Sequence, residues 1–447
     1  MLKLLEKRIG LLLALCITVA LVVISQEAAA EKKASWDVLT PEGKALYTEW
    51  SDFMGFTSKE MVEQNDPAPE IKPGTVITPD NAASFPNLKK VCPPKIYDQI
   101  SSKSSYAYIE EMEIIDTQPR YFPKTVLEGM KLNDKNCKTD PQTDQLLNWE
   151  YGIPFPHPKT GPELFWNVSY TFVGTADELA FEPYNIQDFD ANGVSERMRK
   201  GNLYVLFIMG RHSNRVGPRH IFPGFEDSDI MNYGSLVFTF PQDEKGTSFV
   251  RTRYYDTEKP DAFIGYIPAM RRIRTLSGSD AQDPIGGSEY TWDMWGLDWQ
   301  KPSKNIFPNE YKVLGEKTIL VPSFPFKPAC QLVGNQIQGR KWEKRVVYML
   351  EIKSLDPSYY YSKRIAYVDK ETLKNLYEEY YDRKGELWRT WLTHYWRDPE
   401  GFHTMDGDDI TNWIDKRRTV LMMNAKYKPT FVTPDYFKLK FLAQQAR

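Results

Sequence analysis

From about residue 151 to the C-terminus the chain repeats one pattern, in which short runs of alternating apolar and polar residues are separated by polar turns. Successive side chains of a strand point to opposite faces, so each such run has one face to bury. Residues 164–172 put Leu164, Trp166, Val168, Tyr170 and Phe172 on one side and Asn167, Ser169 and Thr171 on the other. Residues 203–209 are continuously apolar, as expected of a strand covered on both sides. Further strands are predicted over 235–240 and 248–255, as a hairpin across 242–246, and then over 264–273, 318–321, 345–353, 363–368, 374–381, 386–395 and 418–423. The joins at 369–371 and 382–385 are short and carry turn residues. Antiparallel neighbours with one apolar face predict a mainly β (α+β) fold, built on a large curved antiparallel sheet or half-barrel. Thr433 and Pro434 would start a C-terminal helix with Phe437, Phe441 and Leu442 on its apolar side.

The other end of the chain reads differently. Lys3, Lys7 and Arg8 precede an apolar run over 9–24 that ends in Ala28-Ala29-Ala30, which predicts a secretory signal peptide over 1–30. An uncleaved membrane anchor is the competing reading. Residues 31–150 are rich in Pro, Asp, Asn and Lys and are expected to wrap the sheet of a second region, 151–447, rather than fold alone. Helices are predicted over 39–56, with Thr40 as N-cap and Pro41 in the first turn, and near 96–102, with short strands near 106–113. Cys92 and Cys137 both lie in this loop-rich part, and export would allow them to pair, leaving Cys330 single.

A net charge of −3 with no basic tract argues against nucleic acid as a partner. The serine-hydrolase elbow, the P-loop, the dinucleotide fingerprint and the zinc-protease helix motif are all missing. His212 and His220 form the one close histidine pair, on a Gly/Pro loop poorly suited to a metal. Residues 188–193 fit the first six positions of an EF-hand loop, but the twelfth position is Arg199, so an Asx-rich turn is expected there and no metal or cofactor is implied. Aromatics are the surplus, with 12 Trp, 26 Tyr and 23 Phe. Two readings of them stay open: an ordinary sheet packed on helices, or a half-open barrel whose unfilled face holds an apolar ligand. A terminus without an aromatic and the mid-strand charges Arg251 and Arg253 argue against an outer-membrane barrel.

One stretch, 268–299, is unusually basic and then unusually aromatic. It carries Arg271, Arg272 and Arg274, then Ser277, Asp280, Gly287, Ser288, Glu289, Tyr290, Thr291, Asp293 and Met294, with tryptophans at 292, 295 and 299. This phrase resembles a segment of a periplasmic family known only as domain of unknown function 1329, whose members look like enlarged relatives of the lipoprotein-sorting carrier LolA. Matches continue at 152–156, Trp166-Asn167, 365–369, Tyr381-Asp382, 385–389, Phe431 and Tyr436. The resemblance implies a LolA-like half-barrel with helices covering its concave side, and a periplasmic carrier or binding protein for a lipid or other hydrophobic molecule. It also implies an inner-membrane transporter of the resistance-nodulation-division type and an outer-membrane protein as partners. Candidate ligand-binding residues are Trp166, Tyr170, Phe172, Trp292, Tyr348, Tyr367 and Trp388. Arg271, Arg272 and Arg274 join them as rim residues for an anionic head group, with ion pairing to a neighbouring strand as the alternative. No catalytic residue is assigned. A periplasmic enzyme acting on a hydrophobic substrate and a structural or adaptor protein of the envelope stay open.

Overall fold

Thirteen strands form one antiparallel sheet in the computed structural model, which describes residues 39–103, 106–171, 176–268, 271–276, 282–294 and 301–441. The expected signal peptide lies outside the described residues, as do Phe172, Ser277, Asp280, Trp295, Trp299 and Leu442. The strands are β1 (Glu178–Phe189), β2 (Ser195–Phe207), β3 (Ile230–Phe240), β4 (Ser248–Tyr254), β5 (Ala262–Ile267), β6 (Arg272–Leu276) and β7 (Asn309–Pro322). They continue as β8 (Trp342–Ser354), β9 (Lys363–Asp369), β10 (Asn375–Tyr381), β11 (Leu387–Arg397), β12 (His403–Asn412) and β13 (Arg417–Tyr427). Their order across the sheet is β6-β5-β4-β3-β2-β1-β13-β12-β11-β10-β9-β8-β7. The chain therefore meanders outward from β1 to β6, crosses over, and meanders back from β7 to β13. Pairing of β13 with β1 closes the middle, while β6 and β7 are the two edges of an unclosed sheet. This is the curved antiparallel sheet that the alternating runs predict.

The predicted strand over 164–172 is instead a helix. Six helices are described: α1 (Pro41–Met54), α2 (Ser58–Gln64), α3 (Leu88–Val91), α4 (Pro94–Ser101), α5 (Lys124–Asn136) and α6 (Gly161–Thr171). At the start of α6, Glu163 Oε2 accepts from the Lys159 amide at 2.6 Å and from the Thr160 amide at 3.2 Å. This acidic cap on the first turn, with Pro162 just before Glu163, starts a helix whatever the alternation downstream suggests. Leu164, Phe165, Trp166, Val168 and Tyr170 are all buried, so α6 is apolar all round, and such a helix mimics a strand in its residue pattern. Thr40 caps α1 as expected, accepting from Gly43 N at 3.1 Å.

Three further expectations change. The run 264–273 is a hairpin, β5 and β6, broken at Pro268 and at Arg271, whose φ is +49°. The C-terminal helix begins as a 3-10 turn over Pro434–Phe437, which packs Phe437 on Tyr233 and Tyr436 on Tyr204. Cys92 and Cys137 do not pair: all three cysteines of the described residues are free. Cys92 is buried in the core that includes α3 and α4, whereas Cys137 flanks the separate core around α5 and α6. Burial pushes both thiols up to about 12, so little thiolate is present to start exchange at neutral pH. Ellman titration of the unfolded, unreduced protein should find these thiols free, and dithiothreitol should leave the melting temperature unchanged. A fall in melting temperature on reduction would mean that a disulfide forms after all.

Candidate concave site

Register and alternation place one continuous set of side chains on one face of the sheet. On β1–β5 this set is apolar: Phe181 pairs Leu203, Leu203 pairs Leu236, Leu236 pairs Phe249, and Phe263 lies beside Gly265 on β5. On β9–β12 the same face turns polar. Arg364 pairs Tyr380, Glu378 pairs Trp391, Arg389 pairs Asn412, and Thr393 pairs Asp408. The face therefore has an apolar wall and a polar wall.

The segment 282–294 touches both walls, which shows that the sheet curls around it. Trp292 packs on Phe249 and Phe263, with ring centroids 4.6 and 4.8 Å away. Gly265 allows this, because a side chain there would strike the Phe249 ring on which Trp292 rests. On the opposite wall, Glu289 Oε2 accepts from Arg389 Nε at 3.0 Å and from Asn412 Nδ2 at 2.8 Å. The Glu289 amide donates to Thr419 Oγ1 at 2.8 Å. Asp293 accepts from the hydroxyls of Thr291 and Tyr359, and the Gly286 carbonyl accepts from Arg199. Ile285, Tyr290, Trp292 and Met294 are all buried. None of these residues joins a ladder with a sheet strand; the one bridge of the segment is internal, Pro284 to Thr291.

Helix α6 fills the far wing of the same face, with Phe165 on Tyr311 at 4.7 Å and Thr171 Oγ1 donating to Leu373 O at 2.8 Å. The concave face is thus covered by a helix, as expected, but the expected open cavity is occupied by the chain's own rings. A surface cleft of about 710 Å³ lies elsewhere, beside the β1–β2 turn, and its lining of Gln187, Asn192, Ser195 and Asn335 is polar.

The polar wall holds three buried carboxyl groups raised above their usual range. Burial pushes Glu378 up to about 7, against the pull of Arg364, whose Nε lies 3.8 Å from it. Burial likewise raises Asp408 to about 7; its nearest polar neighbours are Trp391 and Thr393. Asp293 is also raised by burial, with Arg364 opposing. Among the described residues no group of three His, Cys, Asp or Glu has metal-site geometry. The partial EF-hand is internally satisfied, since Arg199 Nη1 donates to Asp188 Oδ2 at 2.7 Å and Asp190 caps its own turn through Asn192 and Val194.

The candidate residues do not converge. Trp292 lies in the groove and Tyr348 on its far wing, pairing Val368. Tyr367 faces the other side, donating to Glu379 at 2.8 Å. Trp166 and Tyr170 are buried within α6, where Trp166 Nε1 donates to Asp144 O at 2.7 Å. Trp388 lies over Arg389 and beside Tyr361. Arg271, in the turn before the edge strand β6, and Arg272 and Arg274, on it, are all exposed; Arg274 pairs Gly265 and so shares the concave side. The polar wall itself was not singled out from the residues, although Glu289, Asp293 and Arg389 stand in the two phrases that carry the family resemblance. In space those phrases are joined by the Glu289–Arg389 ion pair.

Residues 76–445 match the model of a family described as a protein of unknown function, DUF1329. The uncharacterized protein PA3922 of Pseudomonas aeruginosa is 21% identical over 283 residues, 61% of this chain and 59% of that protein, so the match spans less than two thirds of that relative. Among solved structures, a DUF1329 family protein from Desulfovibrio piger is 19% identical with a TM-score of 0.42, covering 63% of this chain and 96% of its own. A LolA superfamily protein from Nitrosomonas europaea is 11% identical with a TM-score of 0.39, covering 63% of this chain and 98% of its own.

Proposed function

The chain belongs to the DUF1329 family, and from that premise we propose that it is a periplasmic carrier of a lipid or other hydrophobic molecule, seated on the concave face. The observation that supports this is the two-sided groove, covered by a segment that side chains alone hold to the sheet. Cargo would take the place of 282–294, with its apolar part against Phe249 and Phe263 and its polar end towards Arg389 and Arg364. Removing apolar surface from water supplies about 25 cal/mol per Å², and the displaced rings of Tyr290 and Trp292 set what that gain must exceed. An inner-membrane transporter of the resistance-nodulation-division type and an outer-membrane protein are the proposed donor and acceptor.

Native mass spectrometry of protein from its own periplasm, with solvent extraction, should recover an apolar small molecule. A lipid panel should raise the melting temperature of the extracted protein. Trp292→Ala weakens the seated segment, so a fluorescent fatty acid should bind roughly tenfold more tightly than to the parent protein. Recovery of no apolar species, with a flat melting temperature across the panel, would count decisively against a carrier. An enzyme is the second reading, favoured by the buried acids Glu378 and Asp408 on the same wall; its mark would be turnover of a hydrophobic substrate that Glu378→Gln abolishes.

A further inference from the structure

The meander puts alternate turns at the same end of the sheet. One end carries the connections β1–β2, β3–β4, β5–β6, β8–β9, β10–β11 and β12–β13, because Phe189 pairs Ser195 and Arg418, Lys353 pairs Lys363, and Asn412 pairs Arg417. The exposed apolar side chains gather at this end. Val194, Phe240, Ile273, Leu355, Tyr360 and Ile414 sit on or beside five of these turns and are 47% to 64% exposed. Val333, 50% exposed, belongs to a hairpin whose Asn335 carbonyl accepts from Arg418, at the same end of β13. Among the described residues, every other large apolar side chain is at most 42% exposed.

This end also carries several exposed cations. Most of its carboxylates are engaged: Asp190, Asp356 and Asp382 accept from amides of their own turns, Asp243 and Glu244 hold Arg197, and Glu196 holds Arg417, while Glu386 is exposed. Arg271, Arg272, Arg274, Arg383, Lys384 and Lys416 are exposed there, whereas Arg197, Lys363 and Arg417 are ion-paired. Ile273 stands between two of these arginines.

We propose that this end docks on an anionic membrane surface, its apolar tips entering the interface while the arginines pair with lipid phosphates. A protein partner of ordinary size needs a contiguous, complementary patch. Single apolar side chains on separate turns around a rim do not form one. A bilayer surface deforms to meet each of them, and guanidinium groups settle at headgroup depth beside inserted aliphatic and tyrosine side chains. The same end carries segment 282–294, through Tyr359, Arg389 and Asn412, so docking brings the covered groove to the lipid. The docking inference does not depend on what the groove carries.

Flotation with vesicles of phosphatidylethanolamine and phosphatidylglycerol tests it, using the full chain. The parent should float with these vesicles and not with phosphatidylcholine alone, and added salt should weaken the association. Arg271→Glu, Arg272→Glu and Arg274→Glu together should weaken it by roughly 100-fold. Ile273→Asp with Ile414→Asp should weaken it at least as much as a single arginine change, while Leu132→Asp, on α5, should leave it unchanged. Ile414→Asp should also bind a fluorescent fatty acid as the parent does, which separates failure to dock from failure to carry. Equal flotation on both lipid compositions, or parent-like flotation of the triple arginine variant, would overturn the proposal. So would retention on native membranes without any flotation on pure lipid, which would assign the tips to a protein.

Discussion

Arg345→Met should destabilise the protein by about 3–5 kcal/mol, the usual cost of removing one partner from a buried ion pair. Arg345 is fully buried and bidentate to Asp369, with both contacts at 3.0 Å, and its Nη2 also donates to Glu371 Oε2 at 2.7 Å. Glu371 accepts in turn from the Tyr47 hydroxyl at 2.7 Å and from the Arg120 amide at 3.0 Å. Arg120 completes the group through Glu343. Burial alone would raise Asp369, but the Arg345 and Arg120 guanidinium groups outweigh it and hold the carboxyl below its usual range. Without Arg345, the three buried carboxylates would be left with only Arg120 and Arg397. The group ties α1 and the irregular segment leading to α5 onto β8 and β9, so its loss should loosen the N-terminal segment first. Denaturant melts should register the cost, and Glu371→Gln in the Arg345→Met background should recover part of it by removing one stranded charge. A cost below about 1 kcal/mol would show that the group is hydrated and unimportant.

How far the sequence discloses this architecture depends on what each strand buries. Strands that bury aliphatic or aromatic side chains were legible: β3, β4, β8, β9, β10 and β11 fall where alternation predicts them. Strand β12 was not, because its sequence HTMDGDDITN is buried at every position and yet mostly polar. Asp409 is held by Arg418 from β13, and burial raises Asp408 to about 7, so the strand has no apolar period to detect. Strand β1 was hidden by Pro183, which sits at a bulge between Phe181 and Tyr184, where no ladder bond is lost. Helix α6 failed in the opposite sense, its all-round burial imitating alternation, and the acidic cap at Glu163 was the overlooked signal. The site followed the same logic. Its apolar wall was implicit in the strand pattern, but its polar wall depends on pairs far apart in the chain, such as Glu289 with Arg389.

Those raised acids should give the protein an unusual acid limb. Glu378 and Asp408 are each near 7 in the fold, whereas an unfolded chain ionises them near 4. Between those values the folded state holds protons that the unfolded state has released, so stability from these two groups is complete below about pH 4 and declines as pH rises through about 7. Lys374 acts with the opposite sign: burial pushes it down to about 7, so its contribution is lost as pH falls through that value and grows towards pH 10. The three together predict a minimum of stability close to neutrality. Asp408→Asn keeps the shape and removes the ionisation, so it should stabilise the protein at pH 8 by on the order of 2–4 kcal/mol and leave stability at pH 4 almost unchanged. Glu378→Gln should do the same less strongly, because Arg364 already offsets part of the cost of its charge. Both act on the wall that seats 282–294, since Asp408 and Glu378 lie in the field of Tyr290 and Asp293. Rising pH should therefore loosen that segment as well as the fold, and fatty-acid binding should strengthen between pH 5 and 8 in the parent but not in the double variant. Melting curves of parent and double variant with the same slope from pH 4 to 7 would show that these carboxylates are ionised in the fold, and the pH argument would be lost.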